Sequence, residues 1–223
     1  LENNYECALD VVDIFYTIQG EGPFAGRPAI FVRLAGCNLQ CPVCDTDYTT
    51  NRKMMSVMDI IKKIQEVDQV QRIGENVGVG GLVVITGGEP FRQPIQTFCY
   101  NLLCHTWYTI QVETNGTIFK NHHSGTAPNT KDTIWDSNRL IVVVSPKVGA
   151  VNLRLQKYVR HLKYVVSADN IDPIDGLPNT TLGNSIRVAR PWIEFSGKSI
   201  CNHWTNKTKK RTGVILKPQY NPV

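Results

Sequence analysis

Cys37, Cys41 and Cys44 fall within eight positions of one another, in a chain of 223 residues that has only seven cysteines. A structural zinc site closes with four ligands, usually built as two pairs, and no fourth ligand is near. The first histidine is His105, and Cys99 and Cys104, five apart on a predicted helix, point about 140° away from each other. The neighbours Asn38, Gln40, Pro42 and Asp45 do not suit a buried apolar loop. A cubane iron-sulfur cluster fits better, because three thiolates hold three irons and leave the fourth open to another ligand. An open coordination position points to catalysis rather than simple electron transfer. An odd number of cysteines in a reducing compartment points the same way, to metal or catalysis before disulfides.

The elements around this loop are legible as a series of short β-branched runs, each followed by a polar, glycine-rich or proline-containing turn. Ala29 to Leu34 runs into Gly36-Cys37, Leu82 to Ile85 into Thr86-Gly87-Gly88-Glu89-Pro90, and Thr109 to Val112 into Glu113-Thr114-Asn115-Gly116. Leu140 to Val144 runs into Ser145-Pro146-Lys147, Tyr164 to Val166 into Ser167-Ala168-Asp169, and Gly213 to Leu216 into Lys217-Pro218-Gln219. Val57, Met58, Ile61, Ile64 and Val67 recur at helical spacing behind a capping box of Ser56 and Asp59, which predicts a helix at about 56–67. Pro94 to Thr106 reads as a second helix. Strands alternating with helices imply parallel units whose right-handed crossovers put every strand's carboxyl end on one face. In α/β barrels that face carries the chemistry. Six strands are fewer than a full barrel needs, so the expected fold is α/β, a partial and open parallel (β/α)6 barrel in one domain over residues 1–223. Residues 168–212, rich in Asp, Asn, Pro and Thr, are expected to form irregular loops or short extra elements.

Composition narrows the function further. A formal charge of +5 is mildly basic, and only Lys207 to Arg211 makes a compact run, which more often solvates a loop than binds nucleic acid. The longest apolar stretches are too short to span a bilayer and no secretory leader precedes the fold, so the chain reads as cytoplasmic.

The spacing of Cys37, Cys41 and Cys44 on the first βα loop, with Gly87-Gly88-Glu89-Pro90 after the next strand, resembles the paired motifs of radical S-adenosylmethionine enzymes. That resemblance implies a 4Fe-4S cluster whose free iron chelates the methionine part of S-adenosylmethionine. Reductive cleavage then yields a 5′-deoxyadenosyl radical that takes a hydrogen from the substrate. The flanks narrow it. Phe15 to Gly22, Gly26-Arg27-Pro28-Ala29, Phe31 to Leu39, Cys44-Asp45-Thr46-Asp47, Glu113 to Gly116, Ser145-Pro146-Lys147 and Leu162-Lys163 together are similar to the 7-carboxy-7-deazaguanine synthase family. Membership implies contraction of 6-carboxy-5,6,7,8-tetrahydropterin to 7-carboxy-7-deazaguanine with loss of ammonia, feeding queuosine-type pathways. It also implies Mg²⁺, an external one-electron reductant of the flavodoxin or ferredoxin type, and a homodimer, with no membrane and no direct nucleic-acid contact.

Carried over residue by residue, the resemblance assigns the cluster to the three cysteines and Mg²⁺ to Thr46, which in most proteins would be only a cap. Val43, Asp45, Gly87, Gly88, Glu89, Ser145 and Lys147 are assigned to S-adenosylmethionine, Val43 standing where an aromatic residue is common. Ile18, Gln19, Glu21, Arg33, Thr86, Glu113 and Lys163 are assigned to the substrate. The residue chemistry suits this: carboxylates and amides match a pterin's donor and acceptor edge, and an arginine matches its carboxylate. The plainer readings are a turn at Gln19 to Gly22, a surface pair for Arg33, and loop solvation for Asp45 and Asp47. Ser145, Lys147 and Lys163 could equally meet the cofactor or the substrate. The alternatives are another radical enzyme, such as a glycyl-radical activase, or a zinc-stabilised nucleic-acid-binding module.

Overall fold

The structure, a computed structural model, describes residues 7–42, 44–71, 81–120, 133–174, 176–180, 188–189, 194–195, 198–199 and 213–218. Its strands are β1 (Ala8–Ile18), β2 (Pro28–Leu34), β3 (Lys53–Ser56), β4 (Leu82–Gly87), β5 (Thr109–Thr114), β6 (Leu140–Val144), β7 (Val159–Val166), β8 (Glu194–Phe195), β9 (Lys198–Ser199) and β10 (Gly213–Pro218). The helices are α1 (Val57–Gln71), α2 (Ile95–His105) and the four-residue α3 (Leu153–Gln156).

Eight strands form one open sheet in the order β10-β7-β6-β5-β4-β2-β1-β3. The run from β10 to β2 is parallel throughout and contains the six strands expected from sequence. The sequence reading omitted β1 and β3, which extend the edge antiparallel to it. The helical layer is thinner than a full (β/α)6 pattern: among the described residues, a short 3-10 stretch, Thr133–Asp136, precedes β6 and only α3 precedes β7.

Capping sets the helix starts. Ser56 Oγ accepts from the Asp59 amide at 3.1 Å and donates to the Asp59 carboxylate at 2.8 Å, which opens α1 as the capping box predicts. Ile60, Ile61 and Ile64 of α1 and Ile95, Phe98 and Leu102 of α2 are buried against one face of the sheet, with Ile30, Val32, Val83, Ile85, Ile110 and Val112. Alternate residues point to the other face, as the strand period requires. There, Ala29, Leu82 and Val84 pack with Phe24 and Phe31 in a small apolar plug. Above the plug the same columns turn polar, with Arg33 in register with Thr86, and Glu113 two residues beyond Gln111, which is in register with Val84. This change, from plug to polar layer to glycine and cysteine loops, makes the concave face a site.

Among the described residues after β7 there is a 3-10 turn at Ala168–Asn170 and an isolated bridge between Ile171 and Pro178. The basic run at 207–211 lies outside the described residues.

Candidate active site

The loops after β2, β4, β5 and β6 meet over the concave face and enclose a cavity of about 560 Å³. Cys37, Cys41, Cys44, Asp45 and Thr46 line it from the first loop, Thr86, Gly87 and Gly88 from β4, Glu113 from β5, Ser145 and Lys147 from the β6 loop, and Lys163 from β7. Glu21 and Arg33 line it as well. Fourteen of the eighteen residues singled out in the sequence therefore share one space.

The glycines of the β4 turn have a packing reason. A Cβ on Gly88 would lie 2.0 Å from the Gly36 carbonyl oxygen, and one on Gly87 2.1 Å from the Leu34 oxygen. The turn is thus pressed against the root of the cysteine loop, where the Gly88 amide donates to Leu34 O at 3.1 Å and the Glu89 amide to Gly36 O at 2.9 Å.

The Glu89 side chain turns away from the cavity. It is fully buried behind the wall and accepts from the Phe91 amide (3.0 Å), the Thr114 hydroxyl (2.7 Å) and the Asn115 amide (2.7 Å). It ties the β4 turn to the end of β5 instead of facing the cavity. Burial pushes its carboxyl up to about 7, against the pull of those three donors.

Around the cysteines, the Leu39 amide lies 3.5 Å from Cys37 Sγ and Asn115 Nδ2 lies 4.0 Å from it. Asn115 also donates to Asn38, and Asn38 to Thr117, so the turn after β5 is laced to the loop. Burial raises the Cys37 and Cys41 thiols, offset at Cys37 by the Leu39 amide and at Cys41 by the charge of Lys147. Thr46 Oγ1 donates to Asp45 at 3.1 Å, and Lys147 Nζ donates to Ser145 at 3.1 Å. Asp47 takes hydrogen bonds from Thr49 and Thr50 and stays in the loop.

The floor is an ionic cluster. Lys163 Nζ sits 2.9 Å from Glu21 Oε1 and 3.0 Å from Glu113 Oε2, while Gln19 and Gln111 donate to Glu113 Oε1 at 3.1 and 2.8 Å. Burial alone would raise the Glu113 carboxyl, but Lys163 and the two amides outweigh it and hold it below its ordinary value. Burial would likewise lower the Lys163 ammonium, and Glu113 and Glu21 outweigh it, so the ammonium is held raised. Gln19 does this work from behind, buried and off the cavity wall. Its turn stands at the amino end of β2, opposite the cysteine loop, because β1 runs antiparallel, and it folds inward against β7. Beside the cluster, Arg33 lies over the Phe15 ring at 5.5 Å, and its buried Nε has no hydrogen-bond partner.

Ile18 is not brought to the site: it is 63% exposed at the end of β1, paired with Pro28. Val43 lies outside the described residues. Sequence reasoning missed Asn115 and Tyr48, which both line the cavity; the Tyr48 carbonyl accepts from the Gly36 amide at 3.0 Å. Burial raises the Tyr48 phenol, the thiols of Cys37, Cys44 and Cys41 add to that, and Arg92 opposes it. The signal for both was adjacency: Tyr48 follows the cysteine motif and Asn115 sits inside the β5 motif.

The residues present fit an iron-sulfur cluster. Three thiols share one wall, and donors aimed at Cys37 Sγ suit a thiolate that ligates metal. Among the described residues, no three His, Cys, Asp or Glu side chains gather closely enough to hold a single metal ion.

No family model matches the chain. It is 35% identical over 187 residues to the 7-carboxy-7-deazaguanine synthase of Rhodospirillum rubrum, covering 82% of this chain and 71% of that protein. The synthase of Rickettsia prowazekii is 35% identical over 169 residues, 74% and 64% of the two chains. That of Escherichia coli is 36% identical over 149 residues, 61% and 60%. Among solved structures, the crystal structure of QueE from Escherichia coli superposes with a TM-score of 0.51 at 26% identity, covering 73% of each chain.

Proposed function

The chain belongs to the 7-carboxy-7-deazaguanine synthase family of radical S-adenosylmethionine enzymes, and on that premise we propose that it converts 6-carboxy-5,6,7,8-tetrahydropterin to 7-carboxy-7-deazaguanine with loss of ammonia. One observation carries the reading: the three cysteines and the Arg33, Glu21, Glu113 and Lys163 floor line the same cavity of about 560 Å³.

Cys37, Cys41 and Cys44 would hold the 4Fe-4S cluster, and Gly87, Gly88, Asp45, Ser145 and Lys147 the S-adenosylmethionine beside it. When bound, that pair supplies one-electron reduction and abstraction of a substrate hydrogen. The protein's own residues do the rest. Arg33 offers an unpaired buried N–H to the pterin carboxylate, where a charge-assisted bond is strongest. Glu113, held ionised by Lys163, Gln19 and Gln111, accepts from ring N–H groups and is a poor proton donor. Lys163 fixes the spacing between Glu113 and Glu21, and so the width of the ring slot. Thr46, with Asp45 against its hydroxyl, is the proposed Mg²⁺ ligand, since magnesium usually keeps few protein ligands and fills its shell with water and substrate oxygens.

We assign the product to queuosine-type deazaguanine pathways. The chain is taken to work as one domain, in the cytoplasm, as a homodimer served by a flavodoxin- or ferredoxin-type reductant. Among the described residues no helix is long and apolar enough to cross a membrane. Family membership favours neither a glycyl-radical activase nor a zinc-stabilised nucleic-acid module. The test is anaerobic reconstitution with iron and sulfide, followed by dithionite and S-adenosylmethionine. Uptake of a cluster that bleaches on reduction and cleaves S-adenosylmethionine is expected, and a chain that binds only zinc would refute the reading.

A further inference from the structure

We infer that Arg92 is a positioning residue for the cysteine loop that sets the charge felt by the cluster, and with it the cluster's reduction potential. The inference rests on the reading that Cys37, Cys41 and Cys44 hold an iron-sulfur core.

Arg92 lies outside the cavity wall, on the 3-10 turn Pro90–Arg92 that follows the β4 glycines. Its guanidinium crosses the root of the loop and donates from Nη1 to the carbonyl oxygen of Cys37 at 2.9 Å. The crossing runs close over Gly36. Gly36 sits at φ +78°, and a Cβ there would lie 2.7 Å from that same nitrogen. The turn that carries Arg92 is anchored on both sides. Glu89 fixes it to Thr114 and Asn115 at the end of β5. Gln93 fixes it to the backbone of Asp10 (2.7 and 3.0 Å) and of Ala35 (3.0 Å). The cation is therefore delivered to one cysteine by a braced turn.

Reducing the cluster adds negative charge to a site already carrying three thiolates. Net charge and hydrogen bonding around the ligands are among the protein's levers on such a potential. An arginine keeps its charge at every working pH, so its contribution is permanent. Its contact ends on a ligand residue itself, and its charge reaches Tyr48, the same cavity residue that feels all three thiols. Removing the cation should make the reduced cluster harder to form. Because Arg92 is exposed, the effect should be screened by salt.

The wild-type chain, R92K and R92Q are reconstituted anaerobically and titrated electrochemically without S-adenosylmethionine, following bleaching of the cluster's visible absorption. R92Q, which keeps a donor and loses the charge, should show a potential shifted negative of wild type, with the gap narrowing as salt is added. R92K should stay close to wild type. Loading of R92K but not of R92Q would also support a requirement for the charge. Equal potentials for R92Q and wild type, or an equal shift in R92K and R92Q, would overturn the inference. A wild-type chain that takes up no cluster would overturn the iron-sulfur reading beneath it, an outcome visible before any variant is titrated.

Discussion

Replacing Gly88 by alanine tests whether the β4 turn and the cysteine loop are one packed unit. The new Cβ would fall 2.0 Å from Gly36 O, 2.4 Å from Gly36 C and 2.9 Å from Cys37 N, where ordinary contact begins at 3.4 Å. All three are backbone atoms, so no rotamer change relieves the overlap. The root of the loop must retreat by at least the difference, and overpacking of this kind costs about 1–3 kcal/mol. The retreat also strains two hydrogen bonds, Gly88 N to Leu34 O and Glu89 N to Gly36 O, worth about 0.5–1.5 kcal/mol each. A loss of roughly 2–6 kcal/mol follows from the two terms. Urea unfolding measures it as a fall in midpoint at unchanged slope, and iron content after reconstitution reports whether the loop still holds metal. Gly20→Ala is the control, because a Cβ there meets nothing within 4 Å and should cost less than about 0.5 kcal/mol. A Gly88→Ala protein as stable as the control and fully loaded with iron would refute the reasoning.

Other outcomes follow from the floor and the buried brace. Lys163→Met leaves Glu21 and Glu113 facing each other without their shared cation, and should destabilise the fold by about 3 kcal/mol, near the low end for breaking a buried pair because Glu21 is partly exposed. Urea titration checks this. The Glu113 carboxyl is held low, so its contribution is present at neutral pH and lost as pH falls through the carboxylate range. Glu89 has the opposite sign: its pKa, raised from 4.5 to about 7, makes stability fall as pH rises across that interval, by at most roughly 3 kcal/mol. Glu89→Gln should flatten that slope in unfolding curves measured from pH 5 to 8. Arg33→Gln should raise KM for the pterin about 10- to 100-fold with a much smaller change in kcat, the pattern for lost ground-state binding.

Much of this site was legible because parallel strands force it to be. The six β-branched runs needed only the crossover rule to lie parallel in one sheet, as they do, and the turns after β2, β4, β5 and β6 meet over one cavity. The antiparallel strands β1 and β3 escaped notice for the converse reason. β1 is mostly half-buried along its length and β3 has no buried position, so neither sustains the clean alternation that betrays a half-buried strand. Without β1, the direction from which Glu21 enters the cavity, with Gln19 behind it, could not be read. Side-chain facing was the other limit. Gly87-Gly88-Glu89 marks a site in the sequence, but whether Glu89 faces the cofactor or the core depends on how the turn packs, and here three donors draw it inward. Gln19 is held behind Glu113 in the same way. Arg92 carried no motif at all, and its contact with Cys37 exists only because the turn and the loop are folded together.

The central claim is that the cavity turns a carboxypterin into a deazaguanine. Its most direct test is the reconstituted chain incubated anaerobically with 6-carboxy-5,6,7,8-tetrahydropterin, S-adenosylmethionine, Mg²⁺ and reductant, with products followed by mass spectrometry. The account predicts 7-carboxy-7-deazaguanine and ammonia in equal amounts, in excess over the S-adenosylmethionine consumed. Cleavage of S-adenosylmethionine with the pterin left intact would contradict it.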